Sequence, residues 1–202
     1  MTNGLRVAII GGKAQRQYFR ERDDVETWGL NAIRFPWVKK WDRMFNLHIL
    51  QRLKDYGYNL ETEREWCNEN PEVPFYTLDK WPQWWAPGQT LFPRSAMAKR
   101  MPRGDYHCGS FDWMVAFAIF LGAKEINLHG IGLCLEAGEP LSARACLEYW
   151  CGYAEGRGCK INIAKDTDIF HFYHLVKSKL IYGVDDTPIY EDRTKKGVAY
   201  KL

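Results

Sequence analysis

Residues 104–133 read Gly-Asp-Tyr-His-Cys-Gly-Ser, then Phe-Asp-Trp-Met-Val-Ala-Phe-Ala-Ile-Phe-Leu-Gly, then Ala-Lys-Glu-Ile-Asn-Leu-His-Gly-Ile-Gly-Leu. The spacing predicts a loop, a buried helix and a buried strand. Ser110 is the expected N-cap, and Asp112 falls in the first turn, where a carboxylate suits the positive end of the helix. No residue from Trp113 to Leu121 is polar, and a helix that is apolar all round has protein on every side. Gly122 is placed to end it in the left-handed conformation. The run is too short for a bilayer, which needs about 20 residues. Ile126, Leu128 and Ile131 then make a strand that breaks at His129-Gly130. Ligands of open α/β sheets bind beyond the carboxyl ends of the strands. The loop before Ser110, with His107 and Gly109, and the turn at His129 and Gly130 are therefore the first candidates for a site.

Working back to the start, Arg6–Ile10 is a short β-branched run that predicts a parallel strand. Gly11-Gly12-Lys13 follows at once, either as a tight strand-end turn or as backbone that approaches a phosphate. No Gly-x-Gly-x-x-Gly or Walker spacing accompanies it. Residues 24–31 form the second expected strand, with Trp28 and Asn31 at its end; Asn31 either holds the turn or meets a base or ribose edge. Residues 41–48 form the third, closed by His48. Residues 50–56 read as helix, 58–70 as a connector, and 75–78 as a fourth strand capped by Asp79. Residues 80–93 hold Trp81, Trp84 and Trp85 among three prolines. Pro at that density resists regular structure, so this is either a loop packed on the core or an aromatic lid.

Beyond the central unit, residues 141–154 read as an amphipathic helix carrying Arg144, stopped at Gly156-Arg157-Gly158. Residues 160–164 form a further strand. Asp166-Thr167-Asp168 then opens a last helix over 169–180, as an N-cap or as an Asp-x-Asp that holds a metal diphosphate. No metal site is assigned. Residues 1–183 are expected to form one domain, and 184–202 a polar tail. Strands alternating with helices argue an α/β fold, a Rossmann-like three-layer sandwich with a mostly parallel sheet.

Composition narrows the function without naming it. The chain has 202 residues, a formal charge of +3 and nine Trp. The charge is modest for a nucleic-acid binder; Arg94, Lys99, Arg100 and Arg103 form the one basic cluster, a solvated loop or a nucleic-acid contact. The six cysteines include no Cys-x-x-Cys, so zinc-ribbon and thioredoxin signals are absent. With no signal segment, a cytoplasmic protein with free thiols is expected, and no membrane partner.

Several signatures together resemble a Rossmann-like family found in tailed-phage genomes. They are Val-Ala-Ile-Ile-Gly-Gly (7–12), Trp-Gly-Leu-Asn (28–31), Trp-Asp-Arg-Met-Phe-Asn-Leu-His (41–48), Leu-Gly-Ala-Lys-Glu-Ile (121–126), Leu-Glu-Tyr-Trp (147–150) and Gly-Arg-Gly (156–158). That family has no established activity. More distantly, the chain is similar to single-domain bacterial sialyltransferases and to pterin-diphosphokinase-like proteins, which share the Gly turn, the Asn after the second strand and the apolar helix. In the sialyltransferases the Gly turn and the Asn contact the CMP part of the donor, which implies that role for Gly11, Gly12 and Asn31. The chain departs from that pattern at Lys13-Ala14-Gln15 and at Gly132, and their catalytic His, in a later lid, has no counterpart here.

The first expectation is a nucleotide-dependent transferase, most simply a glycosyltransferase with a nucleotide-sugar donor and a DNA or glycan acceptor. Inverting transfer needs a base, and His suits it near neutral pH. His129, His107 and Glu136 are the candidates. The Ser110 helix start and a cation, Lys13 or Arg144, would stabilise the departing phosphate. The alternatives are a protein that binds a nucleotide or signalling molecule without turnover, with a counter-defence role, and a nucleic-acid-associated protein.

Overall fold

The computed structural model describes residues 4–31, 33–55, 57–82, 86–133 and 141–170. Its centre is a seven-stranded sheet in the order β5-β4-β3-β2-β1-β6-β7. The strands are β1 (Arg6–Ile10), β2 (Glu26–Leu30), β3 (Arg43–Asn46), β4 (Phe75–Thr77), β5 (Gln89–Leu91), β6 (Glu125–His129) and β7 (Lys160–Ile163). Every pairing among the described residues is parallel; Val7 stands between Glu26 and Ile126 in register. From β1 the chain moves outward to β5. It then returns along helices α3 (Arg94–Arg100) and α4 (Ser110–Phe120) to lay β6 on the other side of β1. The β1/β6 boundary is thus the topological switch point.

Alternation along the strands divides the core between two faces. Val7, Ile9, Trp28, Phe45, Tyr76 and Leu128 meet α4 and helix α5 (Leu141–Gly156) on one face. On the other, Met44 and Phe75 meet helices α1 (Leu50–Asp55) and α2 (Glu61–Glu69). There too, Ala8 and Ile10 are covered by Phe19 and Val38 from connecting segments. This is the expected α/β three-layer arrangement. Helix α4 lies at its centre: Met114, Val115, Ala116, Phe117 and Ala118 are buried. Sealing each larger side chain contributes about 2 kcal/mol. Gly122 (φ +83°) ends the helix. Its N–H donates to Ile119 and that of Ala123 to Ala118, the paired bonds of a Schellman end.

Local expectations change in five places. The N-cap of α4 is Gly109, not Ser110, because the Asp112 carboxylate turns back to bond the Gly109 and Cys108 amides. The expected connector over 58–70 contains α2, whose buried face is Glu63 and Cys67, so it shows no apolar period. The basic stretch after Pro93 is helix α3, anchored by Met97 alone. The Pro-rich stretch holds strand β5, and Trp81 is buried against Phe75, with ring centroids 5.3 Å apart; Trp84 and Trp85 lie outside the described residues. Asp166 opens no helix at residues 169 and 170, and most of the expected last helix falls outside the described residues. No helix among the described residues is long and apolar enough to cross a membrane.

Candidate functional site

At the switch point, the strand ends close on each other. The Gly11 amide donates to the His129 carbonyl (2.7 Å) and the Lys13 amide to the Gly130 carbonyl (2.9 Å). A Cβ on Gly11 would lie 2.5 Å from the Gly130 oxygen, and one on Gly130 (φ +62°) only 1.8 Å from the Ala14 nitrogen. Asp166 seals the contact: one carboxylate oxygen accepts the Gly130 amide at 2.9 Å and the other the Gln15 amide at 2.8 Å. Lys13 pairs with Asp168 at 3.6 Å. The chain's own carboxylate thus ties the segment after the Gly turn to the end of β6. Asp166 is engaged by two backbone amides and Asp168 by Lys13.

An open site lies one strand further on. A cleft of about 580 Å³ opens at the carboxyl ends of β2 and β3, against the start of α4. Asn31 and His48 line it from the strand ends, His107 and Ser110 from the helix start, and Tyr58 and Arg94 from the rim. Asn31 is held in the left-handed region (φ +52°) while its amide donates to Phe45 (2.7 Å). Its buried side-chain oxygen has no hydrogen-bond partner among the described residues. An unsatisfied buried acceptor costs free energy, and Asn is among the side chains that adopt the left-handed region most readily.

His107 is the most constrained side chain here. Its Nδ1 lies 2.9 Å from the Asp112 carboxylate. The ring stacks on Trp113 at 3.4 Å and on Trp150 at 4.9 Å, within 11° of parallel in both cases. The Trp150 indole N–H in turn donates to the Tyr106 carbonyl (2.9 Å). The His107 side chain is 3% exposed and that of Asp112 0%. A neutral ring that donates Nδ1–H to the carboxylate carries its lone pair on Nε2. The other Asp112 oxygen accepts the Cys108 (2.9 Å) and Gly109 (2.8 Å) amides. The next amides, of Ser110 and Phe111, head α4 without an intrahelical acceptor.

Of the predicted site residues, the cleft gathers Asn31, His48, His107, Gly109 and Ser110. The others lie elsewhere. Gly11, Gly12, Lys13 and Gly130 belong to the strand-end turns of the closed switch point. Trp28 is fully buried, its indole N–H donating to Glu26 (2.8 Å). Asp79 accepts from the Leu50 amide (3.3 Å) and the Trp81 indole (3.1 Å). Arg144 is buried and bonds Glu148 along α5 (2.9 Å). His129 is outside the cleft, edge-on to Phe19 at 5.2 Å, with a buried Nδ1 that has no bond among the described residues. Burial pushes its proton affinity down, partly offset by Asp166. Glu136 lies outside the described residues. Sequence reading missed Asp112 as the partner of His107, and Trp113 and Trp150 as its walls. The order His-Cys-Gly-x-x-Asp was the available signal, since a carboxylate at the third helical position reaches back over the N-cap.

No family model matches the chain, and the search of curated proteins found no match either. Solved structures do match. The apo α-2,3-sialyltransferase from Campylobacter jejuni is similar at 15% identity, over 86% of this chain and 80% of that one, with a TM-score of 0.52. The sialyltransferase CST-II in complex with trisaccharide acceptor and CMP is similar at 17% identity, over 78% of this chain and 80% of that one, with a TM-score of 0.50. At these identities the likeness is one of fold.

Proposed function

We propose that this chain is a glycosyltransferase that moves a sugar from a nucleotide donor to an acceptor hydroxyl, with His107 as general base. The observation that carries this is the His107–Asp112 pair in the cleft, with Nδ1 against the carboxylate and the ring clamped between two indoles. The acceptor hydroxyl loses its proton to Nε2 as its oxygen bonds the anomeric carbon. The bond from that carbon to the phosphate oxygen breaks, and the nucleotide leaves with the electron pair. Asp112 stabilises the imidazolium that forms. The leaving phosphate meets the Ser110 and Phe111 amides and the positive end of α4. Asn31 offers its unpartnered oxygen to the nucleotide from the end of β2. A neighbour of the same fold holds CMP and a trisaccharide acceptor, which fits a glycan acceptor. The resemblance to tailed-phage proteins fits a phage-borne enzyme acting on host glycan or DNA.

The test is turnover. Purified protein is incubated with CMP-, UDP- and GDP-sugars, and free nucleotide is measured by chromatography. Release of one nucleotide is expected, lowered about 100-fold or more in His107→Gln. A nucleotide sugar bound tightly and left intact would make the protein a binder instead.

A further inference from the structure

The cleft wall contributed by α3 carries a charge that the reaction above does not use. Arg94, Lys99, Arg100 and Arg103 are all exposed. Residues 94–104 contain no acidic side chain. Among the described residues, none of these four cations is in an ion pair. Two of them are nonetheless held in place. The Arg94 guanidinium lies 5.9 Å from the centroid of the Trp113 ring, and that of Arg100 lies 5.8 Å from the centroid of Phe120. Both rings belong to α4, so its side carries two positioned guanidinium groups. A cation over an aromatic face keeps its hydrogen-bonding edge free, and a guanidinium edge matches a carboxylate or phosphate.

Arg94 also lines the cleft, on a wall shared with His107 and Trp113. The one carboxylate buried in the cleft, Asp112, is engaged by His107 and two backbone amides. Asp105, exposed, lines the cleft too. Tyr58 stands on the rim, 55% exposed. An exposed phenol ring is a stacking surface for a sugar, whose one face is rich in C–H groups.

We infer that the acceptor is an anionic saccharide, whose carboxylate or phosphate is held by Arg94 and whose ring rests on Tyr58. The inference rests on the proposed glycosyl transfer, and it names the acceptor class. A saccharide is favoured over a nucleic acid because the guanidinium groups already cover the α4 rings on which bases would stack, and the net charge of the chain is modest.

Binding is measured by isothermal titration of the full chain with maltose, its uronic-acid counterpart and its 6-phosphate, each with and without CMP. Both anionic forms are expected to bind at least about tenfold more tightly than maltose, with a preference that shrinks as salt rises. Arg94→Ala is expected to abolish the preference, and Arg94→Lys to keep part of it. Tyr58→Ala is expected to weaken all three sugars alike. Equal binding of neutral and anionic sugars, an unchanged preference in Arg94→Ala, or no sugar binding in either condition overturns the inference. Tighter binding of a single-stranded oligonucleotide, lost in Arg94→Ala, overturns it in favour of nucleic acid. Titration needs no donor turnover. A protein that releases no nucleotide yet prefers anionic sugars contradicts the transferase and leaves the Arg94 site standing.

Discussion

Two residues show how much can rest on one carboxylate or one buried ring. Asp112 is buried and accepts from His107 and from the Cys108 and Gly109 amides. Removing it strands three donors, so Asp112→Ala is expected to lower stability by about 3 kcal/mol. Asp112→Asn is expected to lose less, because it keeps the shape. Urea unfolding measures both. His129 makes a pH prediction of definite sign. Burial holds its proton affinity below the ordinary value of 6.5, so below that pH the unfolded chain binds the proton more readily than the folded one. Its contribution is therefore present above about pH 6.5 and is lost as the pH falls through that value toward the lower folded value. Unfolding at a series of pH values should show this loss, and His129→Phe should reduce it. At this scale the sequence pointed to His107 as a base and to Asn31 as a contact. It could not distinguish His107 from His129, because both end near a turn and only packing places one in a cleft and the other against Phe19.

Among the elements, α2 was the hardest to read in advance. The helix docks through Cys67, clustered with Met44 and Phe75, and through a buried Glu. Glu63 is 3% exposed and accepts from Asn46 (3.1 Å), with the Arg34 guanidinium 4.0 Å from its second oxygen. That second oxygen, the Asn46 oxygen and one Arg34 nitrogen are buried without hydrogen bonds among the described residues. Burial pushes the Glu63 carboxyl above its usual 4.5, against the pull of Arg34. The sign is opposite to that of His129: the folded state keeps the proton longer, so this contribution is lost as the pH rises through the raised value. Glu63→Gln, which cannot ionise and adds a donor near Asn46, is expected to unfold with less pH dependence as the pH rises above the usual carboxyl value of 4.5 and to cost under about 1 kcal/mol at neutral pH. A loss of several kcal/mol would show that the carboxylate itself anchors α2. Strands β1 and β6 and helix α4 were legible because β-branched or apolar runs bounded by glycine admit few readings. Helix α3 and strand β5 were not, since one rests on Met97 alone and the other is a short edge strand with two exposed residues.

For the whole molecule, the class of the sheet was readable and the candidate site only in part: the loop before Ser110 lies in the cleft, and the turn at His129 and Gly130 does not. Sheet topology directs attention to the switch point between β1 and β6, yet that crevice is filled by Gly11, Gly130 and the Asp166 carboxylate. A carboxylate 36 residues beyond Gly130 could not be assigned to that turn from local pattern alone. Because the contact is closed, Gly130→Ala is expected to destabilise the fold by about 3 kcal/mol or more, with a lower melting temperature as the readout. The open space lies instead at the ends of β2 and β3, where Asn31, His48 and the start of α4 converge. The most direct measurement of the central claim is native mass spectrometry over time, with wild type and His107→Gln each given the same pool of nucleotide sugars. If His107 is the base of a transferase, both proteins bind the same donor, and only wild type shortens it to the nucleotide. If His107→Gln shortens the donor at the rate of wild type, the base lies elsewhere and this reading of the cleft is wrong.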